Sequence, residues 1–395
     1  MSNKKNSFFS FLSFIKKLPA KHTLKLVSKQ KLAIEKSFPL GIDFGITAIK
    51  LVQISIIEGK LQITNIIIKE IPLELWNSPL QRKKAIPEIL KKIVQEYKIR
   101  GGVITSLPSS SVQMKTVKLP PMPKEEIAKA IEWEVKQSST IDLKDLSFDY
   151  YLLDEHKIAP SREIEAMVVS CSKKDVLEQM AMVRAANLTP LAIETDSVAG
   201  VCALIHGSQI KMGEVILFLE FGCHSCSISI VMDNNIHFKR ELAINGDLLT
   251  QAIAKHCNLP YNNAERLKHT YGLMGTNSSR GDLQTPEGES AIMVNEALWL
   301  QLENIIQEID YTFKYFTHQF TSGRISKIDR IIISGGSANL NNFHSYLNSY
   351  LNVPVEIADP LRQTPLNSEI SSKFDNLESL KPRLSVAMGL ALKEL

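Results

Sequence analysis

The sequence predicts a duplicated α/β fold that carries an inserted small α+β subdomain, and three observations predict it. A strand, turn, strand, turn, strand pattern opens at Gly41 and recurs 177 residues later, with Gly222 in the place of Gly45. The first copy is followed at once by a helical period and a further strand. Between the copies, residues 111–190 carry a helix and strand pattern of their own.

Residues 1–37 read as a basic N-terminal tail. The formal charge of the 395-residue chain is +4, yet residues 1–36 hold nine Lys against one Glu, so the rest is net acidic. Phe8, Phe11, Leu12 and Ile15 fall on one helical face beside Lys16 and Lys17, and the run is too short to span a bilayer. A surface helix giving peripheral membrane contact through residues 4–36 and a solvated tail both fit this pattern.

Residues 38–110 read as the first half-domain. Gly41-Ile-Asp-Phe-Gly-Ile-Thr-Ala-Ile-Lys50 begins an apolar strand, breaks it at a carboxylate and a glycine, and resumes through Leu51 to Ile57. Gly59 then sits in a turn before a third β-rich run, Leu61 to Ile71. In the first turn, Gly45 permits close backbone approach, so that N–H groups can face a phosphate. Asp43 can hold Mg²⁺ through water, and Thr47 and Lys50 can add side-chain contacts. Ile86, Leu90, Ile93 and Tyr97 follow a helical period, and Gly101 to Leu107 reads as the next strand.

Residues 111–190 read as an inserted α+β subdomain. Leu119-Pro-Pro-Met-Pro123 is a helix start signal, and Ile127, Ile131 and Val135 recur four apart behind it. Phe148 to Leu153 and Glu165 to Ser170 read as strands, and Val176, Leu177, Met180 and Val183 as a second helix. A unit this small is expected to leave part of Ile127, Ile131, Trp133, Leu143 and Leu146 on its surface, either for a peptide or for docking on its neighbour.

Residues 191–395 read as the second half-domain. Val215 to Phe221 is a buried-strand run that ends in Glu220-Phe-Gly222, followed by Cys223-His-Ser-Cys226 and the strands Ser227 to Met232 and Ile236 to Leu242. Cys223, His224 and Ser225 read as a phosphate-facing turn. Two thiolates and one His fall short of a structural zinc set, and a redox Cys-x-x-Cys opens a helix rather than a hairpin. The two turns can clamp one polyphosphate from both sides. Gly275 to Ser290 is a polar loop without periodicity, and a long helix follows, striped by Leu302, Ile305, Ile309, Phe313, Phe316 and Phe320.

Further stretches complete the pattern: Ile193-Glu-Thr-Asp196, Gly246 to Thr250, Ala264-Glu-Arg-Leu-Lys268, Ile331-Ile-Ser-Gly-Gly-Ser-Ala-Asn339 and Ala387-Met-Gly389. Together, and in this order, they resemble the actin, Hsp70 and sugar-kinase superfamily, which has duplicated RNase H-like (actin/Hsp70-type) domains. Within it they resemble the PilM family of type IV pilus assembly, over about residues 38–395. The resemblance implies ATP and Mg²⁺ as cofactors, with Gly335, Gly336, Ser337 and Asn339 under the adenosine. It implies that Glu265 and Lys268 reach ribose and adenine, that Gly246 forms the turn after the second hairpin, and that Asp196 lies on a connecting segment. It further implies a cytoplasmic scaffold at the inner face of the inner membrane. Its partner is the N-terminal peptide of PilN, held at the insertion, in a complex with PilO and PilP.

Three departures bear on turnover. Glu220 stands where the family usually has Asp, Ile46 where Ser is common, and Asn245 where a glycine often precedes Gly246. Glu220 can still position Mg²⁺ or a water, so binding is expected ahead of hydrolysis. An FtsA-like filament former and an active ATPase or phosphotransferase of the same fold are the alternatives. The chain shows no basic face with interleaved aromatics on its body, so nucleic acid is not an expected partner. Five scattered cysteines fit a reducing compartment.

Overall fold

The computed structural model describes residues 34–139, 141–153, 163–275, 286–320, 325, 327–364, 366 and 368–393. The Phe-rich segment of the tail, residues 8–15, read as either a surface helix or a solvated tail, lies outside these residues.

The chain runs β1 (Ile34–Ser37), β2 (Leu40–Phe44), β3 (Ala48–Ile57), β4 (Lys60–Glu70), α1 (Pro79–Glu96) and β5 (Gly102–Leu107). It continues with β6 (Val112–Leu119), α2 (Lys124–Ser138), β7 (Leu146–Leu152), β8 (Ile164–Ser172), α3 (Lys173–Ala185), β9 (Thr189–Thr195) and α4 (Asp196–His206). Next come β10 (Ile216–Phe221), β11 (Cys226–Met232), β12 (Asn235–Glu241), α5 (Gly246–His256), α6 (Tyr261–Tyr271) and α7 (Pro286–Phe320). The last elements are β13 (Arg330–Ser334), α8 (Phe343–Leu351), β14 (Val355–Ile357), α9 (Ser368–Ser371), α10 (Leu377–Leu380) and α11 (Ser385–Ala391).

Two sheets repeat one design. In the first, the β2–β3 hairpin pairs antiparallel and β2 then pairs parallel with β5, which pairs with β9. In the second, β10 and β11 pair antiparallel, and β10 pairs parallel with β13, which pairs with β14. The duplication extends to register. Asp43 faces Lys50 across the first hairpin, and Glu220 faces Ser227 across the second. The two central parallel strands of the second sheet, β10 and β13, carry apolar runs, as strands covered on both faces do; Ile216 to Leu219 and Ile331 to Ile333 are all completely buried.

Between the sheets lies a crossed helix pair. Helix α11 packs on the first sheet, where a methyl at Gly41 would come within 2.2 Å of the Ala387 carbonyl. Helix α4 turns Val198, Val201 and Leu204 to Ile216, Phe218 and Ile332 of the second sheet. The two helices meet so closely that a β-carbon on Gly389 would lie 1.7 Å from the Ala199 carbonyl oxygen. Outside them, α1 and α3 cover the first sheet, and α5, α7 and α8 the second. The α7 stripe performs as its spacing predicts, with Leu302, Ile305 and Ile309 in the second core. Phe316 stacks obliquely on Phe238, their centroids 6.2 Å apart.

Three expectations need correction. Strand β1 pairs with β3, so the paired fold begins before the tail's assigned end at residue 37. Helix α3 packs on α1, β5 and β9, and β9 pairs with β5, so the first half resumes at residue 173 and the insertion is shorter than 111–190. Its core is the three-stranded sheet β6-β8-β7 under α2. Of the five apolar residues named for it, Ile127, Ile131 and Leu146 are buried there, because α2 lays its stripe along one sheet face; Leu143 is half-buried and Trp133, on the opposite side of α2, is 59% exposed, so part of the set does reach the surface. The sheet's other face docks on the body, where Thr116 and Tyr151 donate to the His237 and Ile236 carbonyls at 2.7 and 2.9 Å. The polar loop, finally, ends where α7 begins at Pro286, not at Ser290.

Candidate functional site

The two hairpin turns face each other across a cleft of about 1320 Å³, and every residue singled out from the sequence as a binding residue lines it. Each position follows from an element end. Asp43, Gly45, Ile46 and Thr47 sit where β2 turns into β3, and Lys50 one pair into that hairpin. Asp43 is 6% exposed and accepts from Lys50 Nζ at 2.6 Å, as cross-strand partners in register can. A methyl on Gly45 would meet Lys50 Nζ at 2.8 Å, so the glycine keeps that pair and the turn compatible.

The second turn, Gly222-Cys-His-Ser225, is braced by the start of α5. The Gly246 and Asp247 N–H groups donate to the Gly222 and Cys223 carbonyls at 2.9 and 2.8 Å. Asn245 caps α5 by accepting from the Leu248 N–H at 3.0 Å, and its amide donates to the His224 carbonyl at 3.2 Å. A glycine there could do neither. Burial pushes the Cys223 thiol up to about 12, despite the Lys268 charge nearby, so it stays protonated. No cluster of three His, Cys, Asp or Glu side chains suited to a metal ion occurs among the described residues.

Behind this turn, Lys268 on α6 donates to the Gly246 carbonyl and the Thr250 hydroxyl at 2.9 and 2.7 Å and pairs with Glu265 at 2.7 Å. Burial alone would raise the Glu265 carboxyl, but hydrogen bonds from His269, Lys268 and Thr250, with the Lys268 charge, hold it down to about 2. Facing them is the end of β13. Gly335 has φ +90° and its α-carbon abuts Phe221, whose oxygen would lie 2.4 Å from a β-carbon. Gly336 opens on empty cleft, Ser337 lies against Gly246, and Asn339 donates to the Ser379 carbonyl at 2.7 Å.

Three carboxylates share the cleft floor. Glu220 ends β10, and Asp196 opens α4 beside Asp43. Unlike Asp43, Glu220 has a serine opposite it. Burial pushes its carboxyl up to about 7, against the pull of hydrogen bonds from Ser197 at 2.5 Å and Ser227 at 3.3 Å and of the Lys239 charge. Asp196 is half-buried by area yet shut in by the other two carboxylates. Burial, then Asp43, then Glu220 raise it well above the usual carboxylate range.

The cleft also contains residues that no local pattern marked. Arg82 reaches from α1 to the Gly45 and Ile46 carbonyls at 2.5 and 2.8 Å. Behind the cleft wall, the buried Ser197 links Glu220 of the cleft to Ser109, whose hydroxyl lies 3.0 Å away at the entry to the insertion. Gln179 of α3 donates to Thr105 Oγ1 at 2.9 Å and the Ser106 carbonyl at 3.0 Å. Only the element order could have placed them.

The arrangement has the features that suit a polyphosphate: two facing glycine turns, with polar side chains on both sides of the cleft. Mg²⁺ held by one carboxylate, waters and phosphate oxygens needs no cage of protein ligands.

Paired hairpin sheets closing on one cleft around a crossed helix pair define a protein of the actin-like ATPase fold. Within that class, the chain belongs to the type IV pilus assembly protein PilM family, whose model matches residues 41–395. Among solved structures, a PilM–PilN type IV pilus biogenesis complex superposes with a TM-score of 0.74 at 22% identity, over 90% of this chain and 97% of that one. The ethanolamine utilization protein EutJ of Carboxydothermus hydrogenoformans gives 0.50 at 13% identity, over 90% and 89%. Cell division protein FtsA of Helicobacter pylori is 22% identical over 213 residues, 51% of this chain and 41% of that protein. FtsA of Buchnera aphidicola subsp. Baizongia pistaciae is 24% identical over 189 residues, 44% of this chain and 43% of that one. The matches thus span less than half the length of these FtsA relatives. No described helix is long and apolar enough to cross a membrane.

Proposed function

We propose that this protein is an ATP-binding scaffold or switch of the type IV pilus inner-membrane assembly complex, working at the cytoplasmic face of the inner membrane. One observation carries the nucleotide reading: two hairpins of identical register turn their glycine loops onto one cleft. Asp43 holds Mg²⁺ through water, and Gly335 to Asn339 with Glu265 and Lys268 receive the nucleoside. The PilN N-terminal peptide is the partner. Family membership and the exposed Trp133 of the insertion support it. Binding is placed ahead of turnover, because Glu220 is longer than the Asp usual in the family and shifts the carboxylate that would orient a water.

Calorimetric titration with MgATP, and separately with a synthetic PilN N-terminal peptide, tests both halves of this reading. Wild-type protein should bind each. Asp43→Ala should lose at least about tenfold in Mg²⁺-dependent ATP affinity, the scale of one charge-assisted contact, and leave peptide affinity unchanged without nucleotide. Full ATP affinity in Asp43→Ala contradicts the metal assignment.

A further inference from the structure

Charge balance in the cleft singles out one residue. Five Lys and Arg side chains line it: Lys50, Arg82, Lys83, Lys268 and Arg383. Four are neutralised. Lys50 pairs with Asp43 at 2.6 Å, Lys83 with Glu178 at 2.6 Å, Lys268 with Glu265 at 2.7 Å and Arg383 with Glu70 at 2.6 Å. Among the described residues, Arg82 has no carboxylate at ion-pair distance.

Among the described residues, its guanidinium donates to the Gly45 and Ile46 carbonyls alone. A guanidinium has five N–H donors in a planar fork, so three remain for an oxyanion. The group is half-buried, and burial lowers its pKa despite the nearness of Cys223 and Asp43. A cation taken from water without a counter-charge is costly, and an anion in the cleft would remove that cost.

The second turn supplies the opposite wall. Among the described residues, His224 Nε2 is buried without a hydrogen-bond partner, although the ring lines the same cleft. Burial, against the pull of the Asp247 charge and with the help of the Arg82 charge, lowers the imidazole pKa, and a neutral ring has one nitrogen that can donate. The first turn has a matching gap, since Ile46 brings no donor and Lys50 is engaged by Asp43.

We propose that Arg82 and His224 form a subsite for the terminal phosphate of a nucleoside triphosphate, through which the protein distinguishes ATP from ADP. Arg82 braces the first turn with two of its N–H groups and presents the rest to the phosphate. His224 donates from the second turn, so the terminal phosphate ties the two halves together. This inference rests on the nucleotide reading of the same cleft.

The test is the ratio of ATP to ADP affinity, measured by titrating MgATP and MgADP into wild type, Arg82→Met, Arg82→Lys and His224→Ala. Wild type should prefer ATP. Arg82→Met should lose about tenfold or more for ATP, the scale of a charge-assisted contact, and stay within about twofold for ADP. Arg82→Lys should recover part of the preference, and His224→Ala should lose part of it. Equal losses for both nucleotides in Arg82→Met would show that Arg82 only braces the turn, and an unchanged ratio would show no contact; either overturns the inference. A wild type that binds ATP and ADP equally overturns it too, with nucleotide binding left standing. A wild type that binds neither defeats the nucleotide reading first.

Discussion

Asp43 and Glu220 hold the same place in two copies of one hairpin and meet different partners. Lys50 stands opposite the first and Ser227 opposite the second. One carboxylate is therefore ion-paired, while the other is raised to about 7 by burial. The sign of the consequence follows from linkage. A carboxyl raised on folding stabilises the fold most below its unfolded value of 4.5, and that contribution is lost as pH rises through about 7. Glu220→Gln cannot ionise and keeps a neutral side chain at every pH. Thermal unfolding at steps from pH 5 to 8 should show the variant gaining on wild type as pH rises, by a margin that levels off above about 7. Parallel curves would contradict the burial argument. The site was unevenly legible at this scale. Asp43, Gly45, Glu220 and Gly222 stood out because a carboxylate and a glycine interrupt apolar strands. Arg82 and Ser197 did not, since an arginine in a polar helical turn and a serine in an apolar helix look ordinary until the fold brings one to the cleft and the other behind Glu220.

Among the elements, the crossing of α4 and α11 has the least slack. A β-carbon on Gly389 would lie 1.7 Å from the Ala199 carbonyl oxygen and 2.5 Å from its carbon, both backbone atoms that a rotamer change cannot move. Gly389→Ala must then separate the helices or shift them along their axes. Overpacking of this kind costs about 1–3 kcal/mol, and for a chain this size each kcal/mol is about 2–4 °C or less in melting temperature. A drop of several degrees in a thermal melt is the expected outcome. Gly336→Ala, whose new methyl meets nothing within 4 Å, should melt close to wild type. Elements with a clean period were readable, as α7 and both hairpins show. Strands β6 and β9 were not. In β6, Val112 and Val117 fall on opposite faces and both are buried, one against the body and the other under α2, so no alternation survives. Strand β9 carries Pro190 and ends in the Glu194-Thr-Asp196 segment, which suggests a connection rather than a strand; its place beside β5 is a matter of tertiary pairing.

The whole molecule places its insertion and its cleft at two ends of one hydrogen-bonded line. Ser109, where the chain enters the insertion, meets Ser197, and Ser197 donates to Glu220. Lys239 of β12 anchors the Ser109 carbonyl at 3.1 Å and pairs with Glu241 at 2.9 Å. The insertion therefore shares its attachment with the carboxylate of the second hairpin. At this scale the duplicated design and the family were legible early, because motif order survives when individual motifs are weak. The length of the insertion was not, since α3 carries an ordinary amphipathic pattern and only its packing on α1 assigns it to the first half. The central claim is that the two turns jointly hold one nucleotide. Incubating the purified chain with MgATP, removing free nucleotide on a desalting column and identifying what remains bound tests it most directly. The account predicts close to one nucleotide per chain, chiefly intact ATP with little ADP. Protein that emerges free of nucleotide, at concentrations where a micromolar ligand would stay bound, would contradict it.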